Sequence, residues 1–161
     1  MCPAQTSQTE EELLNQCRDN FYLAATVQGR LAYLFMSIHA VNPRIFGSIT
    51  DYDPSHILFS NMLYGMAVHL FSRPSMYLIG FLHRLSFSIL GSMMFNYSTL
   101  QVYEWLIQRL EHRPYLLTFL GFFTGRVMIV HLLAYLYHVD TRCMGIGHYI
   151  RRDSAYETMY V

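Results

Sequence analysis

Residues 115–137 read YLLTFLGFFTGRVMIVHLLAYLY, twenty-three positions in which Arg126, His131 and two threonines alone interrupt an apolar run. At about 1.5 Å per residue, a helix of this length covers about 35 Å, enough to cross a hydrocarbon core of about 30 Å with some tilt. A second run, residues 76–97, is apolar apart from His83, Arg84, Asn96 and a few serines, and opens after the break and cap Ser72-Arg73-Pro74-Ser75. Together the two runs predict an all-α membrane protein with two strong spans and further amphipathic or peripheral helices. One helical domain is expected over residues 1–161.

Composition supports the same class. The chain is 53% apolar and 16% aromatic but only 14% charged, roughly half the charged share, about 25%, with which a soluble domain covers its surface. There is no lysine, and the eleven arginines are balanced by eleven acids. Nucleic-acid binding needs a surplus of positive charge to release counterions, and a chain of formal net charge zero has none. Cys2, Cys17 and Cys143 are few, odd in number and far apart, so they define neither a disulfide framework nor a zinc site. They read as free thiols of a reducing or matrix-like compartment.

Outside the two runs, residues 1–20 form a polar, acidic N-terminus with Glu10, Glu11, Glu12 and Asp19 against Arg18. It lacks the basic start and apolar run of a secretory signal and is too acidic for a transit peptide. From Glu10 apolar residues recur at three- and four-residue steps, predicting one helix to about Val41, ended by Asn42-Pro43. Asp51 and Asp53 lie in turn chemistry ahead of a second helix from about Ser55 to Phe71, where capping is their expected role. His39, His56 and His69 sit singly in apolar helices and read as packing residues. Ser98 is expected to cap a separate surface or interfacial helix, residues 99–112, with Tyr103, Trp105, Leu106 and Leu110 on one face. Residues 139–161 form a polar tail with Gly145, Gly147 and Arg151-Arg152-Asp153. The loops are too nearly neutral for positive-inside counting to orient the chain.

Arg30, Arg84 and Arg126 each interrupt an apolar run near its middle, where an arginine costs about 2.5–3.5 kcal/mol on insertion scales. Each is therefore expected to face protein, a cofactor or a lipid headgroup. The competing reading is a soluble bundle whose central helices are apolar all round.

Gly121-Phe122-Phe123-Thr124-Gly125 places two glycines one turn apart, the spacing that lets another helix backbone approach closely. With Arg126 directly after it, the segment resembles the small membrane subunits e and g of mitochondrial ATP synthase. That resemblance implies a structural accessory subunit in which Gly121 and Gly125 form the helix contact and no cofactor is bound.

His83-Arg84 followed by Ser86 resembles the first membrane helix of the cytochrome b large anchor subunit of succinate dehydrogenase, complex II. His131 and His138, seven residues apart and so on one face of a helix, are similar to that family's haem-ligating histidine and the histidine after it. The resemblance implies a mitochondrial inner-membrane anchor that binds ubiquinone at His83, Arg84 and Ser86. His131 would be one axial ligand of haem b, and a partner subunit would supply the other. Arginine offers several fixed donors to a quinone oxygen, and histidine can donate beside an apolar tail site. The match covers residues 76–140 and departs from the family at Gly80, Phe87, Tyr135 and Tyr137, and in the third span, where only polar tail follows Val139. Such a subunit would not itself oxidise succinate.

Gly125-Arg126 before an apolar run, and Tyr149-Ile150 before Tyr156, resemble the two groove motifs of apoptosis-regulating Bcl-family proteins. The gap between them is too short for the helix that family places there; the implication is a soluble helical binding protein. No nucleophile elbow, phosphate loop or paired carboxylate on a helix face gives hydrolase or transferase chemistry a foothold. The expected partners are other subunits of a membrane complex and the lipid bilayer.

Overall fold

The computed structural model describes residues 4–48, 53–110 and 112–144. In order they form α1 (Ala4–Val41), the single turn α2 (Arg44–Gly47), α3 (Ser55–Phe71), a 3₁₀ turn (Pro74–Leu78), α4 (Phe81–Leu110) and α5 (Pro114–Met144). No strand occurs among the described residues.

Local chemistry sets most of the boundaries. Proline cannot continue a helix, so α1 stops ahead of Pro43; Asn42 then donates its side-chain amide to Thr118 Oγ1 at 3.1 Å, tying this end to α5. Ahead of α3 the Asp53 carboxylate accepts the Ser55 N–H at 3.0 Å, the capping role expected of it. Asp51 lies outside the described residues, as do the tail glycines, Arg151-Arg152-Asp153 and the second Bcl-like motif.

The four long helices run up, down, up and down. Ser92 Oγ of α4 donates to Leu63 O of α3 at 2.6 Å, and Tyr33 of α1 meets Thr99 of α4 across the bundle at 3.3 Å. One end of the bundle holds Val41, Tyr103, Leu106 and Leu117; its middle holds Tyr33, Met36, Met62, Met66 and Ile129.

Two crossings depend on glycine. Gly29 of α1 and Gly65 of α3 lie back to back, so that a Cβ on Gly29 would stand 2.5 Å from Gly65 Cα. Gly121 faces the Val41 methyls and Gly125 faces Ser37 and the Tyr103 hydroxyl. The GxxxG pair thus receives α1 of the same chain, with α4 alongside, which places the anticipated helix partner inside the fold.

Two expected elements are corrected. Residues 76–97 are not one helix: the 3₁₀ turn ends in extended backbone at Ile79 (φ −110°, ψ 154°), and α4 begins only at Phe81. The turn is held away from helical geometry by Pro74, by Ser75 N–H on Asp140 and by Tyr77 lying against Arg84. Conversely, α4 continues through Ser98 without a break to Leu110. Its packing face, Ser92, Asn96, Thr99 and Tyr103, carries on at three- and four-residue spacing past Ser98, and tertiary packing prevails over a local cap signal. The run 115–137 is contained in α5, which extends through residues 139–144, part of the expected tail.

The burial pattern of α4 is inverted relative to a helix on the surface of a soluble core. Its buried residues are Arg84, Ser88, Ser92, Asn96, Thr99, Tyr103 and Leu106. Leu82, Phe87, Leu90, Met94 and Tyr97 are exposed. Among the described residues, one helix, Pro114–Cys143, is by length and hydropathy apolar enough to cross a membrane, and only 22% of its most apolar window is buried in the bundle.

Candidate functional site

The most developed polar arrangement lies where α3 ends. A helix leaves its last carbonyls without intrahelical partners and carries partial negative charge there. Two arginines answer that need. Arg84, projecting from the first turns of α4, donates Nε–H to Phe71 O at 2.6 Å. Its guanidinium lies between two rings, 3.9 Å from the centroid of Phe71 and 3.7 Å from that of Tyr77. Arg84 is 8% exposed, and its Nη2 has no hydrogen-bond partner among the described residues.

Arg73, just past the helix end, donates Nη1–H to Asp140 Oδ2 at 3.0 Å, joining the α3 terminus to α5 across 67 residues of chain. Asp140 is 1% exposed and also accepts Ser75 N–H at 3.3 Å. A carboxylate this near the C-terminal end of α5 opposes that helix's own dipole, so the guanidinium and the amide supply the compensating positive charge. Arg73 Nη2 donates to His69 Nε2 at 2.9 Å. Since arginine only donates, this nitrogen of His69 accepts, and the imidazole is neutral with its proton on Nδ1. His69 is therefore a buried, hydrogen-bonded packing residue, as expected.

A second polar series runs up the inner face of α4. Ser88 donates to Arg84 O at 2.7 Å, Asn96 donates to Ser92 Oγ at 3.2 Å, and Thr99 donates to Phe95 O at 2.8 Å. These donors are satisfied by one another or by nearby backbone, which is how a buried polar face is tolerated, while Asn96 Oδ1 has no hydrogen-bond partner among the described residues. At the opposite end of the bundle His39 Nε2 stands 3.2 Å from Asp53 Oδ1. The Ser55 N–H, then the Ser55 hydroxyl, and to a lesser extent His39 hold the exposed Asp53 carboxyl below its ordinary value.

The residues expected to bind quinone do not converge. Arg84 is buried and aimed at Phe71, whereas His83 and Ser86 are exposed on other faces of α4. The closest ring partner of His83 is Phe87, at 6.4 Å. His131 is exposed on α5 and donates Nδ1–H to Val127 O at 2.8 Å, which leaves the ring lone pair on Nε2; His138, also exposed, lies two turns further on. Among the described residues no three His, Cys, Asp or Glu side chains cluster as a metal-binding group would. Arg126 is exposed, and Gly121 and Gly125 are occupied by α1.

Sequence reasoning missed both the Arg73–Asp140 pair and the Gly29–Gly65 crossing. The first had one usable signal, two opposite charges at the ends of separate apolar runs. Gly29 had another, its place four residues after Ala25 on the small-residue face of α1. Comparison with protein-family models, with curated proteins and with solved structures finds no match.

Proposed function

We propose that this chain is a membrane-embedded helix bundle serving as a non-catalytic, structural subunit of a membrane complex. The observation that carries the reading is the inverted polarity of α4, with serines, asparagine, threonine and arginine inside and Leu82, Phe87, Leu90 and Met94 outside. In water that arrangement exposes apolar surface without return, because contiguous apolar patches of more than a few hundred Å² are rare on soluble monomers. In lipid the same outer surface has a matching solvent, and interhelical hydrogen bonds and small-residue contacts hold the interior. The spans in this reading are α4 and α5, with α1 and α3 packed beside them. The mitochondrial inner membrane rests on the two family resemblances alone. The test is an alkaline carbonate wash of isolated membranes: the chain is expected in the pellet, and its release into the supernatant would overturn the reading.

A haem-binding respiratory anchor is the second reading, favoured by the exposed His131, whose Nδ1–H is given to Val127 O and whose Nε2 lone pair could serve as one axial ligand if a neighbouring subunit supplies the other. Bound there, haem would supply one-electron transfer. The quinone part of that reading does not fit the residues present, since Arg84 is committed to Phe71 and both rings while His83 and Ser86 face elsewhere. A b-type absorption band in the purified complex that His131→Ala abolishes would favour this reading; a complex without such a band would remove it.

A further inference from the structure

We propose that α1 carries a dimerisation seam whose occupant is α1 of a second copy of this chain, running parallel to it. Leu14, Cys17, Phe21, Ala24, Gln28, Leu31 and Phe35 follow one another at alternating steps of three and four, a 3.5-residue repeat sustained over three heptads. All are exposed, Leu14 at 69% and Phe21 at 53%, and they occupy a different face of α1 from Ala25, Gly29, Ala32 and Met36, which pack into the bundle.

The choice of a second copy rests on four features. A straight helix drifts from a 3.5-residue repeat, and only a supercoiled helical partner keeps such a stripe in register; lipid imposes no such spacing. The stripe also runs beyond the bundle, since every residue from Glu10 to Phe21 is exposed and no other described helix covers them. A solitary helix there is marginal on its own, and burying Leu14 and Phe21 against a like helix stabilises it. Charge is kept off the stripe between Leu14 and Phe35: Arg18, Asp19 and Arg30 fall at other heptad positions, and Glu10, one heptad before Cys17, marks its N-terminal limit. Finally, between α1 and Leu58 of α3 lies an apolar groove of about 660 Å³ lined by Ala24, Gln28, Leu31 and Phe35, the half of the same stripe that lies alongside the bundle. Gln28 occupies an a position, where a polar residue fixes register, and its amide is held by Asn61 Oδ1 at 3.0 Å.

The parallel orientation rests on the membrane reading. Two copies with one topology in one bilayer are related by an axis along its normal, so each a or d residue meets its own counterpart. Cys17, at a d position, then faces Cys17 of the second copy.

The full chain is cross-linked in isolated, carbonate-washed membranes with a short bis-maleimide. A chain whose only cysteine is Cys17 (Cys2→Ser, Cys143→Ser) is expected to run at twice its own mass, and one whose only cysteine is Cys143 to stay predominantly single. In a cysteine-free background, Leu14→Cys and Phe21→Cys are expected to cross-link strongly and Gln16→Cys and Asp19→Cys weakly. All four positions are exposed, so the variants are expected to fold. Cross-linking that is absent at 14, 17 and 21, that ignores the heptad phase, or that yields the mass of this chain plus a different protein would overturn the seam. The fraction holding the chain after the wash reports on the membrane reading, while the phase of cross-linking reports on the seam, so the two failures are distinguishable.

Discussion

Replacing Gly65 with alanine tests the packing of the bundle most directly. A Cβ at this position would stand 2.7 Å from Ala25 O and 2.8 Å from Gly29 N, and closer still to Gly29 Cα. Ordinary van der Waals contact begins at 3.4 Å, so α1 and α3 must separate by roughly an ångström, and backbone has no alternative rotamer with which to yield. Overpacking of this kind costs about 1–3 kcal/mol, against which glycine-to-alanine replacement in a helix returns about 1 kcal/mol of propensity. Because the separation loosens contacts along the whole α1–α3 interface, the net expectation is a loss of about 2 kcal/mol. Two other glycines calibrate the measurement. Gly47→Ala has nothing within 4 Å and is expected to be neutral or slightly stabilising, while Gly91→Ala meets only the Leu70 Cδ1 methyl at 3.1 Å and is expected to lie between. Adding Gly29→Ala to Gly65→Ala should cost less than the sum, since helices already parted accept the second methyl more readily. The assay is thermal unfolding in mild detergent, followed by circular dichroism and by protease sensitivity. Equal stability of Gly65→Ala and Gly47→Ala would refute the backbone-to-backbone crossing.

Three further outcomes follow from the polar contacts. Asp140→Asn leaves the Arg73 guanidinium buried without its carboxylate and should cost about 3 kcal/mol in the same unfolding assay, whereas the double replacement Arg73→Met with Asp140→Leu should recover much of that loss. Arg84→Met removes the donor to Phe71 O and the cation between two rings, with an expected loss of about 2 kcal/mol and earlier proteolysis at the 3₁₀ turn. Asp53 has a folded-state pKa below its unfolded value, chiefly through the Ser55 N–H, so its contribution is present above the unfolded value and fades as pH falls through the folded one. Amide exchange at the start of α3, corrected for intrinsic rates, should therefore gain freedom on acidification below about pH 4, and Asp53→Asn should flatten that dependence.

Local signals were sufficient for elements whose ends are written in proline and turn chemistry. The helix read as Ser55 to Phe71 has those bounds, and α1 ends at Asn42-Pro43 as expected. They were insufficient wherever a distant contact decides. Ser98 looks like a cap until the inner face of α4 is known to run from Ser92 through Thr99 to Tyr103, and residues 76–80 look helical until Asp140 is known to hold Ser75. At the candidate site the His-Arg pair was legible as a polar interruption, but neighbouring residues on a helix project about 100° apart. One of them therefore entered the bundle and the other did not.

The same inversion explains why α4 is less hydrophobic on average than α5. An average over a helix cannot distinguish polar residues that face water from those that face other helices, and α4 has Ser88, Ser92, Asn96 and Thr99 in the second class. The outer faces of the two helices are both largely apolar, with Leu82, Phe87, Leu90 and Met94 on α4 and Phe119, Phe123 and Val127 on α5, where the exposed Arg126 interrupts them. The internal use of Gly121 and Gly125 then constrains how assembly experiments on this chain are read. Enlarging either glycine to leucine pushes against Val41, Ser37 or Tyr103 of the same chain and disturbs the α1–α5 packing before any second subunit is involved. Loss of a co-purifying partner after such a change would report on the fold, and partner surfaces are better sought among outward residues such as Leu14, Phe21, Phe119 and Phe123, whose replacement leaves the bundle interior intact.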